Sequence, residues 1–113
     1  MVKKTLSGEL VAEFGLCENR HEYPVKECIF PEVIQRMNFP RLEMTATAVL
    51  KPLVDQGIKS IVIYASGCTE AMLAVYSAAL RLHISNFTVM HYDAVYETYA
   101  AQQLAAFSNL SVK

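Results

Sequence analysis

The sequence has few cysteines and no block of positive charge. The first argues against a disulfide-bonded secreted domain, and the second argues against a protein that binds duplex nucleic acid. Its 113 residues contain three cysteines, an odd number without the spacing of a disulfide framework. Such usage is typical of a reducing compartment. The sequence has ten basic residues (Lys and Arg) and eleven acidic ones, and Lys3 and Lys4 are the only basic residues adjacent in the chain. A face that binds duplex nucleic acid through counterion release therefore has little support.

Long apolar runs are also missing. The most apolar stretch, 71–80, is too short to span a bilayer and is flanked by Glu70 and Arg81. Glu9 and Glu13 interrupt the segment that would form the apolar core of a signal peptide. We therefore expect a soluble, cytoplasmic protein without a membrane partner.

The overall composition is nevertheless apolar. Hydrophobic residues make up 53% of the chain and charged residues 19%, which is more apolar than an average soluble domain. The length predicts one α/β domain over 1–113, with a flexible start over 1–7. Either the core is unusually complete, or another subunit covers some of the apolar surface. The high surface-to-volume ratio of a small chain favours the second, so we expect a homo-oligomer, a dimer or higher.

The centre of the chain, 59–93, has the pattern of a βαβ unit. Two apolar, β-branched runs at 59–65 and 87–92 predict strands, and the segment 70–83 between them predicts a helix. Strands joined in this way are parallel, so both end at the same edge of the sheet. Ligands of open α/β sheets bind just outside that edge.

The flanking segments complete a small Rossmann-like domain of two or three layers. Alternation over 8–15 predicts a strand that forms an N-terminal β-hairpin with a second strand near 25–30. Spacing of three and four residues predicts a helix over 41–56, with a kink or early stop at Pro52. The segment 95–103 favours a strand antiparallel to 87–92, and a helix from about 96 is the alternative.

The turn between the first strand and the helix carries the best candidate for a ligand site. Ser66 and Gly67 allow a tight turn and close approach of a ligand, and Thr69 is a good N-cap. The unpaired N–H groups at a helix N-terminus favour a phosphate or carboxylate. The alternative is that Ser66 and Thr69 only cap a buried helix. No Gly-Lys-Ser/Thr follows, so the turn is not a Walker loop.

Polar residues at the end of the second strand converge on the same edge. His91 and Asp93 point to one side by strand alternation, where imidazole and carboxylate could share a proton or orient a ligand hydroxyl. Tyr92 lies between them and could stack on a base. A half-exposed histidine at a strand end is the structural alternative.

Three further sets of residues are candidates for phosphate binding, nucleophilic chemistry or metal binding. Arg20 and His21 lie in a polar loop, where a guanidinium could bind phosphate or simply be solvated. Cys68 lies near a helix N-terminus, which lowers the pKa of a thiol, but no C-x5-R loop follows. Cys17, His21 and Cys28 include a C-x3-H spacing without an evident fourth ligand. We therefore expect no metal and no cofactor.

The segment 61–72, Ile-Val-Ile-Tyr-Ala-Ser-Gly-Cys-Thr-Glu-Ala-Met, leads into an alanine-rich helix. It resembles the strand–turn–helix of the CRISPR-associated Rossmann-fold (CARF) sensor domains, which bind cyclic oligoadenylates as dimers and in some cases cleave them. The resemblance covers 59–83. It implies that Ser66, Gly67 and Thr69 contact ligand, with Met72 packing beneath. Glu70 departs from it, because such motifs often have a lysine there. A stand-alone binder or degrader of a nucleotide signal is implied, such as a sponge encoded by a phage.

Three hypotheses for function follow. The first is non-catalytic binding of a phosphate-bearing nucleotide, with a cyclic nucleotide signal among the candidates. The second is a metal-independent phosphodiesterase or other hydrolase, similar to a ring nuclease, that uses His91 and Asp93. The third is an assembly subunit without a small ligand. The residues expected to bind ligand in the first hypothesis are Ser66, Gly67, Cys68, Thr69, Arg20, His21 and Tyr92.

Overall fold

A computed structural model describes residues 2–18, 22–32 and 35–105. The strands are β1 (Val2–Lys4), β2 (Leu10–Cys17), β3 (Cys28–Phe30), β4 (Ser60–Tyr64), β5 (Asn86–Asp93) and β6 (Thr98–Leu104), and the helices are α1 (Phe39–Asp55) and α2 (Thr69–Arg81). Neither helix, in the part of the chain that is described, is long and apolar enough to cross a membrane. The fold is α/β, with a mixed six-stranded sheet and two helices.

The sheet has the order β1-β2-β4-β5-β6, and β3 also pairs with β2. Strands β2, β4 and β5 are parallel, whereas β1 and β6 run antiparallel to their neighbours. The predicted parallel pairing of the two central strands is therefore confirmed, with Ile63 opposite Val89. Consequently β2, β4 and β5 deliver their carboxyl ends to one edge.

One face of the sheet forms the core with both helices. Alternate residues of the three parallel strands are buried there: Ala12, Phe14, Leu16, Ile61, Ile63, Phe87 and Val89. Helices α1 and α2 pack against each other, so both lie over this face and the described residues form two layers. Leu42, Ala46 and Leu50 bury one side of α1 at helical spacing.

Helix α1 begins and ends close to the predicted bounds. The side chain of Asn38 accepts a hydrogen bond from the N–H of Arg41 at 3.3 Å, and Pro40 occupies the first turn. Both features are favourable at a helix N-terminus. The helix continues through Pro52 to Asp55, so the early stop that Pro52 suggests does not occur.

The N-terminal hairpin differs from the prediction. Strand β2 does not form a hairpin with the later segment, because β3 pairs with it in parallel, with Gly15 opposite Cys28. Its antiparallel partner is β1, which lies in the range 1–7 for which the sequence predicts a flexible start. Alternation alone identifies a strand but not its partner. At the other end, β6 pairs antiparallel with β5, which confirms the strand prediction and excludes the helix from about 96.

Tyrosines cover part of the other face of the sheet. An added Cβ at Gly15 would collide with the ring of Tyr23, so the ring lies directly on the strand. The hydroxyl of Tyr23 donates to the carbonyl oxygen of Cys17 at 3.0 Å and accepts from its N–H at 3.3 Å. Tyr64 and Tyr99 contact edge to face, with ring centroids 5.0 Å apart.

Candidate functional site

A small cavity lies at the carboxyl edge, where β4 and β5 end beside α2. Its volume is about 190 Å³. The lining residues come from the end of β4, the following turn, the first turns of α2 and the end of β5: Ala65, Ser66, Thr69, Met72, Leu73, Val89 and His91. The structure thus brings the predicted turn and the predicted histidine to one cavity.

Ser66 contributes an unsatisfied polar atom to this cavity. Its Oγ is inaccessible to solvent and has no hydrogen-bond partner in the described part of the chain. A buried hydroxyl without a partner costs about 1–3 kcal/mol, so such groups are rare in folded proteins. Ser66 is among the residues that line the cavity, so its hydroxyl is the candidate group to bind a ligand oxygen there.

The N-terminus of α2 begins one residue earlier than predicted. Cys68 is the N-cap and Thr69 is the first helical residue, so Thr69 is not the cap that the sequence suggests. Within the described residues, no side-chain hydrogen bond caps the helix at this end. The N–H groups of the first turn of an α-helix have no partner within the helix. They therefore remain suited to bind an anion, beside the Thr69 hydroxyl.

An ion pair neutralises the carboxylate in the first turn of α2. Arg36 Nε donates to Glu70 Oε1 at 2.8 Å, and Arg36 Nη2 donates to Oε2 at 3.4 Å. These bonds, followed by the electrostatic influence of Cys68, raise the pKa of the Arg36 guanidinium above its ordinary value. The unfavourable charge of Glu70 beside the anion site is compensated in this way.

Arg36 was not predicted from the sequence, where Arg20 was the guanidinium considered for phosphate binding. Arg36 lies 34 positions before Glu70, and no motif or helical spacing links the two. The only local signal is its place just before the N-cap Asn38, near which the start of a helix is predicted. Arg20 and His21 lie outside the described residues.

His91 and Asp93 have different partners. His91 Nε2 lies 2.7 Å from Gln102 Oε1 on β6. Asp93 Oδ1 accepts from the N–H groups of Val95 and Tyr96, at 2.9 and 3.4 Å. Asp93 therefore stabilises the β5–β6 turn, and neither hydrogen bond connects it with the imidazole.

Of the other predicted ligand residues that the structure describes, none is among the lining residues of the cavity. Tyr92 alternates to the opposite face of β5, where its ring contacts that of Tyr99 at a centroid distance of 5.5 Å. The side chain of Cys68 is buried in the core. Gly67 has no positive φ, and an added Cβ there would meet nothing within 4 Å. The turn itself therefore does not require glycine at this position.

A second cavity adjoins the first. Its volume is about 460 Å³, and it lies between the first turns of α1 and α2. The residues that line it are Phe39, Glu43, Thr69, Glu70, Leu73, Ala74 and Ser77. Thr69 and Leu73 line both cavities, so the two adjoin along one turn of α2.

Metal ligation has no structural basis in the described ranges, where no group of three or more His, Cys, Asp or Glu side chains could hold an ion. Comparison of the chain with family models, with curated proteins and with solved structures finds no match. The residues of the site are therefore the basis for its chemistry.

Proposed function

We propose that this protein binds a phosphate-bearing nucleotide at the carboxyl edge of its sheet and does not transform it. The observation that carries the proposal is Ser66, which lines a cavity at the N-terminus of α2 and whose hydroxyl is buried and unpartnered in the described chain. The hydroxyls of Ser66 and Thr69, with the first N–H groups of α2, form a set of donors for phosphate oxygens.

A Rossmann-like domain is the finer fold assignment that we propose. Three adjacent parallel strands, β2, β4 and β5, are connected through α1 and α2, and this arrangement supports it. The similarity of 59–83 to the CARF sensor domains supports a nucleotide signal as the ligand. A cyclic nucleotide belongs among the candidates for that reason.

A homo-oligomer is part of the proposal. Several large apolar side chains near the β5–β6 turn are exposed, namely Tyr92, Val95 and Tyr96. Exposed apolar side chains that cluster in this way are a feature of protein–protein interaction sites, which is why we include an oligomer in the proposal. Sedimentation velocity tests this part directly: a dimer or larger species is expected, and a monomer at all concentrations contradicts it.

We prefer binding without catalysis because the hydrogen bonds described for His91 and Asp93 do not join these two candidate catalytic side chains to each other. Asp93 is engaged with the β5–β6 turn, and His91 is hydrogen-bonded to an amide rather than to a carboxylate. A general base of the His–Asp type needs the carboxylate to orient the imidazole. His91 is therefore assigned to ligand contact.

Thermal-shift measurement against cyclic and linear nucleotides tests the proposal, because a ligand that binds the native state raises the apparent stability. At least one nucleotide should raise the melting temperature and be recovered intact after denaturation of the protein. A cleaved product, lost in His91→Ala while binding is retained, would instead support the hydrolase. A flat response across all nucleotides contradicts the proposal and favours the assembly subunit.

Ser66→Ala and Ser60→Ala form a matched pair for this experiment. Both serines flank the same strand, and both Oγ atoms are buried without a partner in the described residues, but only Ser66 lines the cavity. A hydrogen bond to a charged group is worth about 1.5–3 kcal/mol, so Ser66→Ala should weaken binding by about tenfold or more. Ser60→Ala should bind as the wild type does.

A further inference from the structure

We infer that the base of the bound nucleotide occupies the second cavity, against Phe39 and Leu73, while its phosphate occupies the first. This inference rests on the proposed function. It assigns a site to the base, which is the part of the nucleotide that the phosphate site does not hold. It identifies the ligand class as a nucleotide with a single aromatic base directed across α2 towards α1.

The volumes of the two cavities require a ligand that extends between them. The first cavity, at about 190 Å³, lies below the lower limit of about 300 Å³ for pockets that hold drug-sized ligands. It has room for a phosphate and part of a sugar. The second cavity, at about 460 Å³, lies within that range. A whole nucleotide therefore needs both.

The lining of the second cavity suits an aromatic ring. Phe39 is 56% exposed and Leu73 is 61% exposed, although both line a concave surface between two helices. Neither side chain is needed to fill the core beneath. An aromatic ring stacks on Phe39 and covers Leu73, whereas a sugar phosphate alone leaves both in contact with water.

The residues that line only one of the two cavities give the direction of the ligand. Thr69 and Leu73 are four residues apart on the same side of α2, and both line both cavities. Ser66 and His91 line only the first cavity, at the sheet edge, so a ligand that occupies both cavities crosses α2 at Thr69 and Leu73 towards α1. Phe39, at the start of α1, closes the far side of the second cavity.

Adenosine 5′-monophosphate and ribose 5-phosphate serve as probes, since they differ only in the base. Calorimetric titration of the wild type should give at least tenfold tighter binding of adenosine 5′-monophosphate. In Phe39→Ala the two affinities should become nearly equal, because ribose 5-phosphate does not reach residue 39. Met44→Ala is the matched control: Met44 is 72% exposed on the same helix, but it lines a neighbouring groove instead.

A fluorescence measurement keeps the test independent of any loss of stability in Phe39→Ala. The sequence contains no tryptophan, so Phe39→Trp introduces a single reporter. Adenosine 5′-monophosphate should quench it, ribose 5-phosphate should not, and Met44→Trp should respond to neither.

Four results would overturn the inference. If the wild type binds both probes equally, or if Phe39→Ala keeps the full preference, the base lies elsewhere while the phosphate site stands. If Phe39→Ala dissociates an oligomer in sedimentation without changing the preference, the second cavity is an interface between copies. If neither probe nor any nucleotide of the thermal-shift panel binds, the proposed function itself fails.

Discussion

Arg36 Nε lies 2.8 Å from Glu70 Oε1, and this ion pair joins the segment before α1 to the first turn of α2. It places a cation beside the helix N-terminus at which we propose that phosphate binds. Without it, the carboxylate of Glu70 would oppose an anion there. The pair therefore makes an acidic first turn compatible with phosphate binding.

Removal of this cation should weaken nucleotide binding. Arg36→Ala removes the cation that pairs with the carboxylate of Glu70, and one charge in the first turn of a helix changes anion binding by about two- to fivefold. Titration of a nucleotide that stabilises the wild type measures the effect at low salt, where exposed charges are least screened.

Two variants control for this interpretation. Arg36→Ala combined with Glu70→Gln should recover most of the lost affinity, because no uncompensated charge remains. Arg81→Ala breaks the other ion pair of α2, with Glu43, and should bind as the wild type does. Equal losses in Arg36→Ala and Arg81→Ala would show that overall charge, rather than the local pair, sets the affinity.

Gly67→Ala should weaken ligand binding without a loss of stability. The backbone at Gly67 has an ordinary φ and open space around the missing Cβ, so the free energy of unfolding should stay within about 0.5 kcal/mol of the wild type or rise slightly. A ligand that approaches the turn closely would meet the new methyl group, and its affinity should fall. Urea denaturation and calorimetric titration measure the two effects. Unchanged affinity would place the ligand away from the 66–68 backbone.

Gly15→Ala should destabilise the fold through Tyr23. The new methyl group collides with the Tyr23 ring, and relief of the collision breaks the hydrogen bonds between Tyr23 and the backbone of Cys17. Overpacking of this kind costs about 1–3 kcal/mol, which urea denaturation measures. In a Tyr23→Ala background the same substitution should cost clearly less. Equal costs in both backgrounds would contradict the contact.

Stability should decrease at alkaline pH because of Tyr64 and Tyr99. Burial raises the pKa of both hydroxyls above the ordinary value of 10.0. The unfolded chain then ionises first, and it holds fewer protons than the native state as the pH rises above about 10. The free energy of unfolding therefore falls in that range. It should fall less steeply in Tyr64→Phe and Tyr99→Phe than in the wild type, and an equal slope in all three proteins would exclude these residues as the cause.

The central βαβ unit could be predicted because its signals are local. The apolar strands around Ile63 and Val89, and the small-residue turn between them, each specify their structure within a few residues. Parallel pairing follows from the length of the connecting helix. The convergence of Ser66 and His91 then follows from topology, since both residues come at the ends of adjacent parallel strands.

The features that escaped prediction depend on pairing between distant segments. Alternation marks β2 as a strand but does not choose between β1 and a later segment as its antiparallel partner. Arg36 reaches Glu70 only because α1 packs beside α2. Alternation places Asp93 and His91 on the same side of β5. The carboxylate of Asp93 nevertheless accepts a hydrogen bond from the N–H of Val95 in the turn that follows.

The most direct test of the proposed site is a map of backbone amide shifts in a two-dimensional nitrogen–proton NMR titration with adenosine 5′-monophosphate. The account predicts that the largest changes fall on 66–71, where the unpaired N–H groups of α2 receive the phosphate, with smaller changes at His91 and Phe39. Changes confined to other parts of the sheet or helices, with the amides of 66–71 unmoved at saturation, would contradict it.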